Sequence, residues 1–262
     1  MPTWTAPGGL RLQFRDLGGG TPVVLLHAFP LEGEMFEPQW TALSGRARFI
    51  VPDLRGFGGS SAGAGPSEMG AMADDVLGLL DHLGIASAVV GGVSMGGYAA
   101  LALLRNDPGR VRALVLADTQ TAADDAQGRQ GREKMAQQLL ANGSAVLLPL
   151  VDRLLGPAAP PALRARVCGW ITSGSPEGQA AAQRGMALRP DARDILARFG
   201  GPVLVVVGTD DVLTPPAKAR AMADLVPGAE LVEIPGAGHL ANLEQPDVFN
   251  AALGRFIGRL AA

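Results

Sequence analysis

Six short, mainly apolar runs recur along this chain, separated by longer stretches with a helical pattern. They fall at residues 22–26, 49–51, 88–90, 113–116, 203–207 and 231–234. An apolar run without alternation has no face for solvent, so it fits a strand of a parallel sheet that is covered on both sides. Strands of this kind that alternate with helices predict an α/β fold, in which a mostly parallel sheet forms the middle of three layers.

The helical stretches carry apolar residues at three- and four-residue steps, the period of a helix packed on one side. The clearest stretches begin near Met69, after Ser94, after Pro215-Pro216 and at Pro246. Residues 10–14 are expected to add an antiparallel edge strand at the front of the sheet.

The alternation stops between about residues 119 and 200, where helix-like pieces occur near residues 132–140, 146–155, 161–171 and 178–186. We therefore expect a core of residues 1–118 and 201–262, interrupted by a helical lid insertion. Residues 119–200 are called the lid segment below. The lid segment has ten Lys and Arg residues against seven Asp and Glu residues. This excess of positive charge has two interpretations: the lid segment could favour anionic substrates, or, more simply, the charged residues lie on solvated helix faces.

Composition narrows the class of protein. Hydrophobic residues make up 47% and charged residues 18% of the chain, which is typical of a globular domain. The net charge is -3, whereas proteins that bind nucleic acid usually carry a basic face. The apolar runs are too short for a bilayer, and the N-terminus lacks the pattern of a secretory signal. We expect a cytoplasmic protein that binds neither nucleic acid nor membrane. The sequence does not indicate an oligomeric state.

The stretch Gly92-Val93-Ser94-Met95-Gly96 follows an apolar run and opens a helix. A serine on such a strand-to-helix turn has a strained backbone and an exposed hydroxyl. Side chains two residues to either side would collide in that turn, which accounts for both glycines. A serine in a glycine-rich turn can also simply cap a helix. The context here favours a nucleophile.

A serine nucleophile needs an adjacent base, and the chain has three histidines. His82 lies on an amphipathic helix and is expected at the surface. His27 ends the first apolar run and fits a structural hydrogen bonder better than a base. His239 follows the last run in a glycine-rich loop, at the sheet edge where ligands of α/β proteins bind. His239 is therefore the predicted base.

A carboxylate that orients the base should come from another strand end. Asp210 and Asp211 both follow the run at 203–207, and Asp118 follows the run at 113–116. Spacing alone does not separate these three candidates.

Acyl transfer also needs two fixed N–H donors for the oxyanion. We expect the N–H of Met95, next to the serine, and the N–H of Phe29, in the loop after the first strand. The residues expected to contact substrate are Phe29, Leu31, Trp170, Met186 and Leu240. Packing within the lid segment is the alternative for Trp170 and Met186.

Taken together, five stretches resemble the α/β-hydrolase superfamily over nearly the whole chain. They are residues 27–30, 53–60, 92–97, 208–215 and 236–240. The resemblance is greatest to small bacterial carboxylesterases and to 3-oxoadipate enol-lactonase-like enzymes. In those relatives the acid is the fourth residue of a Gly-x-x-Asp turn before Thr-Pro, which selects Asp211 here.

The resemblance implies a serine hydrolase that cleaves esters or lactones of small molecules through an acyl-enzyme, with Ser94, His239 and Asp211 as its triad. It implies no organic cofactor, and the Asp and His residues lack the clustered spacing of a metal site. Enzymes of other activity with the same triad are alternatives: a cofactor-free perhydrolase or haloperoxidase, a carbon–carbon bond hydrolase and an aminopeptidase. A non-catalytic ligand-binding protein of this fold is the alternative from another class.

Overall fold

The computed structural model describes residues 1–261, which form one eight-stranded sheet in the order β1-β2-β4-β3-β5-β6-β7-β8. The strands are β1 (Thr3–Thr5), β2 (Arg11–Gly18), β3 (Thr21–Leu26), β4 (Ala47–Pro52), β5 (Ala88–Val93), β6 (Val111–Ala117), β7 (Val203–Gly208) and β8 (Glu230–Ile234). β3 to β8 run parallel to one another, whereas β2 pairs antiparallel with both of its neighbours, β1 and β4. The predicted α/β class with a mostly parallel sheet is confirmed.

The unbroken apolar runs correspond to the buried middle of this sheet. Every residue of β5 and of β7 is buried, whereas β8 at the edge is mostly half-buried. The expected strand at residues 10–14 is present as part of β2, and it pairs antiparallel with β4. It is not the edge strand, however, because β1 pairs along its outer side.

Helices flank the sheet. They are α1 (Glu37–Leu43), α2 (Met69–His82), α3 (Met95–Asn106), α4 (Ala126–Asn142), α5 (Val151–Leu154), α6 (Pro161–Ser173), α7 (Pro176–Ala187), α8 (Arg193–Ala197), α9 (Pro216–Ala223), α10 (Ala241–Glu244) and α11 (Pro246–Ala261). α2 packs beside α3, which lies on β3, β5 and β6, and α1 packs beside α11. No helix within residues 1–261 is long and apolar enough to cross a membrane.

The regular elements between β6 and β7 are all helices: α4 to α8 and a 3-10 helix at Ser144–Leu150. α4 and α7 pack along each other. α4 begins six residues earlier than the first helix-like piece predicted, because the side chain of Asp125 accepts a hydrogen bond from the N–H of Gly128 (2.7 Å) and caps it there. The short helix α8 was not predicted.

Candidate functional site

Ser94 stands between β5 and α3 with φ 54° and ψ -115°, a left-handed backbone that is unusual outside glycine. A Cβ added at Gly92 would overlap the carbonyl of Gly96. One added at Gly96 would overlap the carbonyl of Leu26 in β3. The turn is therefore closed to side chains on both sides of Ser94, which is the steric reason predicted for the two glycines.

Neighbouring strand ends hold the backbone of this turn. The Ser94 N–H donates to the carbonyl of Ala117 (3.0 Å), and the Thr119 hydroxyl donates to the carbonyl of Ser94 (2.8 Å). Among residues 1–261 the Ser94 hydroxyl itself makes no hydrogen bond to protein, so it is free to meet a ligand.

Asp211 and His239 form a buried pair at the ends of β7 and β8. His239 Nδ1 lies 2.8 Å from Asp211 Oδ2, and the two residues are 2% and 3% exposed. The Thr214 hydroxyl also donates to Oδ2 (2.6 Å), and the other oxygen accepts the N–H groups of Leu213 (2.8 Å) and Thr214 (2.9 Å).

These hydrogen bonds favour the ionised form of Asp211. Burial alone would raise the pKa of Asp211, but hydrogen bonds from His239 and Thr214 outweigh it and hold this pKa below its usual value. An ionised Asp211 accepts the proton on Nδ1 of His239, which leaves Nε2 as the acceptor nitrogen of a neutral ring.

The other two aspartates considered for this role are placed differently. Asp210 is exposed and accepts a hydrogen bond from the Thr209 hydroxyl (3.1 Å). Asp118 is fully buried, and its oxygens accept the N–H groups of Gly208 (2.8 Å) and Ala241 (3.3 Å). Burial and the nearby charge of Asp211 raise the pKa of Asp118 well above its usual value. Of the three, Asp211 is the one hydrogen-bonded to His239.

The other histidines are occupied elsewhere. His27 is fully buried: its Nε2 accepts the N–H of Leu54 (2.9 Å) and its Nδ1 donates to the carbonyl of Ala28 (3.1 Å). Burial lowers the pKa of His27 to about 4. His82 is exposed and stacks on Trp4. Both positions agree with the sequence interpretation.

Two backbone N–H groups are candidates for the oxyanion donors, those of Met95 and Phe29. Met95 is the first residue of α3, and Phe29 lies in the loop after β3. In residues 1–261, neither N–H donates a hydrogen bond to another protein group. Both residues are buried, at 0% and 7% exposed, so two unpaired donors here are unusual. This arrangement is the one expected of an oxyanion site.

A cavity of about 180 Å³ is lined by Ser94, His239 and Phe29. Its lining residues are Phe29, Ser94, Tyr98, Gln120, Arg132, Leu150, Leu154, Gln183, Met186, Leu213, Thr214 and His239. A larger open groove of about 660 Å³ shares Arg132, Leu150, Gln183 and Leu213 with this cavity and leads to solvent. The lid segment therefore supplies much of the wall opposite Ser94.

The structure brings together only part of the predicted substrate pocket. Phe29 and Met186 line the cavity. Leu31 (1% exposed), Leu240 (0%) and Trp170 (8%) are buried without lining it. Leu31 and Leu240 pack in the core, and Trp170 packs in the lid segment, where the Arg166 guanidinium lies 4.7 Å from its ring centre. A substrate contact of these three residues stays a prediction, because an apolar residue near a motif is buried equally well by core or by ligand.

Several lining residues were not singled out from the sequence. Tyr98 comes four residues after Ser94 on α3, so the helical period could have placed both on one face. Thr214 follows Asp211 in the same turn. Arg132 and Gln183 are 51 residues apart and meet only because α4 packs on α7, which no local pattern reveals. Within residues 1–261, no group of three His, Cys, Asp or Glu side chains is arranged to hold a metal ion.

Comparisons with known proteins show the family of the chain. A family model described as the alpha/beta hydrolase fold matches residues 21–246. The chain is 30% identical to 3-oxoadipate enol-lactonase 2 of Acinetobacter baylyi, over 84% of this chain and 82% of that protein.

Solved structures show the same relationship. A malate-bound thermophilic esterase from Thermogutta terrifontis superposes with a TM-score of 0.96 at 39% identity, covering 99% of this chain and 97% of that one. The enol-lactonase from Burkholderia xenovorans superposes with a TM-score of 0.90 at 29% identity, covering 98% and 100%. The chain therefore belongs to the α/β-hydrolase family, among relatives that include esterases and enol-lactonases.

Proposed function

We propose that this protein is a serine hydrolase that cleaves carboxylic esters or lactones of small molecules through an acyl-enzyme. One observation carries the proposal: Ser94 and His239 line a single cavity, and the buried Asp211 holds the other ring nitrogen of that histidine. This is the arrangement by which a neutral serine becomes a nucleophile.

In the first step, the Ser94 hydroxyl oxygen attacks the carbonyl carbon of the substrate while His239 Nε2 takes the hydroxyl proton. The carbonyl oxygen becomes an oxyanion that accepts hydrogen bonds from the N–H groups of Phe29 and Met95. Asp211 stabilises the imidazolium without taking its proton. When the carbon–oxygen bond to the alcohol breaks, His239 returns the proton to the departing oxygen.

In the second step, water attacks the acyl-enzyme. His239 takes a proton from that water, the new tetrahedral oxyanion occupies the same two donors, and the bond to Ser94 breaks as the serine recovers its proton. For a lactone the alcohol stays attached to the acyl group, so a single hydroxy acid leaves. We propose that the lid segment covers the substrate during these steps, since it contributes Arg132, Gln183 and Met186 to the cavity wall.

The test is a panel of phenyl esters, aliphatic esters, lactones and aminoacyl amides, together with an assay of peracid formation, with the wild type and with Ser94→Ala. The variant should lose at least about a thousand-fold in kcat, while its melting temperature stays close to that of the wild type. Ser87→Ala, one residue before the start of β5 and so at the end away from Ser94, is the matched control and should keep full activity. Ester turnover that survives in Ser94→Ala would refute the proposal, and turnover confined to peracid formation or aminoacyl amides would redirect it.

A further inference from the structure

The charge of the cavity is asymmetric. Among its lining residues, Arg132 alone carries a permanent charge, and no Asp or Glu from the described part of the chain lines it. The remaining wall consists of apolar side chains, hydroxyls, two amides and His239. A cation that faces a small, mostly apolar space interacts more strongly with an anion than the same cation in water would.

The hydrogen-bonding capacity of Arg132 is only partly used. Its Nε donates to Asp124 Oδ2, and its Nη1 donates to Gln183 Oε1 (3.2 Å) and approaches the sulfur of Met186 (3.3 Å). A thioether is a weak acceptor. Within residues 1–261, Nη2 donates no hydrogen bond. Nη1 therefore has one amide oxygen and one weak thioether as partners, and Nη2 has none.

The positive charge is not cancelled by Asp124. That carboxylate is shared, because Arg189 Nη2 donates to its other oxygen (2.7 Å). Burial would raise the pKa of Asp124, but hydrogen bonds from Arg189 and Arg132 outweigh it and hold this pKa below its usual value. One carboxylate between two guanidiniums leaves a net charge of one. Arg189 also lies over the ring of Tyr98 at 4.2 Å, next to the cavity.

The approach to the cavity has the same sign. The outer groove is lined by Arg132 and Arg153 and by one acid, Asp124. Arg153 is exposed. The groove beside the cavity therefore has two cations against one acid, a balance that favours an anion over a cation there.

We propose that Arg132 binds a carboxylate of the substrate, so that the preferred substrates are esters or lactones carrying a carboxylate on the acyl or the alcohol part. The carboxylate would take the Nη1–Nη2 edge in the two-pronged geometry that suits arginine and would replace the sulfur of Met186 as the partner of Nη1. This inference rests on the proposed function and names its substrate class.

A purely structural role makes a different prediction. If Arg132 served only to tie Asp124 to Gln183, its replacement would weaken the lid segment and slow neutral and anionic substrates equally. The ratio of the two rates therefore separates the roles, whatever the substitution does to stability.

The experiment uses two matched pairs of substrates with the full chain. In one pair the charge is on the alcohol part: para-acetoxybenzoate against para-acetoxybenzamide. In the other it is on the acyl part: phenyl hydrogen glutarate against the phenyl ester of the corresponding glutaramate. The quantity measured is the ratio of kcat/KM for the charged member to that for the neutral member, at low and high salt.

The wild type should prefer the charged member of at least one pair, and high salt should weaken that preference. Arg132→Gln should lower the ratio by roughly 10- to 100-fold, the range for losing a hydrogen bond to a charged group. Arg132→Lys should fall in between. Arg129→Gln is the matched control: Arg129 lies on the same helix, is exposed and is outside the cavity lining, so the ratio should not change.

An unchanged ratio in Arg132→Gln, or a wild type that favours the neutral member of both pairs, would overturn the inference while leaving the proposed function standing. If no ester of either pair were hydrolysed while the wild type turned over other esters or lactones in a Ser94-dependent manner, the inference alone would fail. If no ester or lactone at all were hydrolysed in that manner, the proposed function itself would fail.

Discussion

The role of Asp211 can be tested by one atom replacement, Asp211→Asn. In the wild type, Oδ1 accepts two backbone N–H groups, from Leu213 and Thr214, while Oδ2 faces Thr214 and His239. An asparagine must keep its carbonyl oxygen toward the two N–H groups, because its amide nitrogen cannot accept them. The amide NH2 is then directed at His239 Nδ1.

The consequence is a change of tautomer. A donor at Nδ1 forces the proton of the neutral ring onto Nε2, and Nε2 then cannot take the proton of Ser94. A serine protease with the corresponding substitution loses about ten-thousand-fold in kcat, and the fixed orientation of the side chain here predicts a loss of that order. The assay is kcat for a phenyl ester at about pH 7, with circular dichroism and a melting curve to show that the variant folds.

The matched control is Asp210→Asn, one residue away on the exposed side of the same turn. It removes the same charge without touching His239, so its kcat should stay close to that of the wild type. If Asp211→Asn kept more than about a tenth of wild-type kcat, or if Asp210→Asn proved the more damaging of the two, the reasoning from the tautomer would be refuted.

Three further perturbations follow from the same contacts. Burial lowers the pKa of His27 from 6.5 to about 4, so the unfolded chain binds a proton at this residue more readily than the folded one. The contribution of the neutral His27 to stability is complete above pH 6.5 and is lost as the pH falls toward 4. Urea unfolding should therefore show a loss on the order of 2 kcal/mol between about pH 7 and about pH 5, and an equally steep loss in His27→Gln would contradict this. Thr214→Val should cost roughly 1.5–3 kcal/mol of unfolding free energy and lower kcat, since it removes a hydrogen bond to the buried Asp211, whereas Thr214→Ser should keep both. Tyr98→Ala should join the Ser94 cavity to a second cavity of about 150 Å³ that also borders Tyr98, so longer acyl chains should be turned over; a chain-length profile like that of Tyr98→Phe would disprove it.

The parts of the molecule that follow from local rules could be predicted from the sequence. Runs without solvent-facing residues became the buried strands β5 and β7, since a strand covered on both faces needs no polar side. The glycines at 92 and 96 could be explained because the collision that they avoid is with residues close in the chain or with the adjacent strand β3. Spacing left Asp210, Asp211 and Asp118 open; the family pattern selected Asp211.

The parts that depend on packing between distant segments could not be predicted. The cavity wall opposite Ser94 comes from helices of the lid segment, whose placement is set by their contacts with one another and with the core. Arg132 looked like one solvated charge among many, and only the packing of α4 on α7 turns it toward Gln183 and the cavity. The sequence also could not place Trp170, since an aromatic residue can be buried inside the lid segment as readily as against a ligand.

The central claim is that Ser94 is activated by His239 in the folded protein. The most direct measurement is labelling with a fluorophosphonate, followed by peptide mass spectrometry to locate the adduct. We expect one adduct per chain, on Ser94, formed rapidly by the wild type and at least about a hundred-fold more slowly by His239→Ala. A folded wild-type protein that takes up no label, or carries it on another residue, would contradict the account.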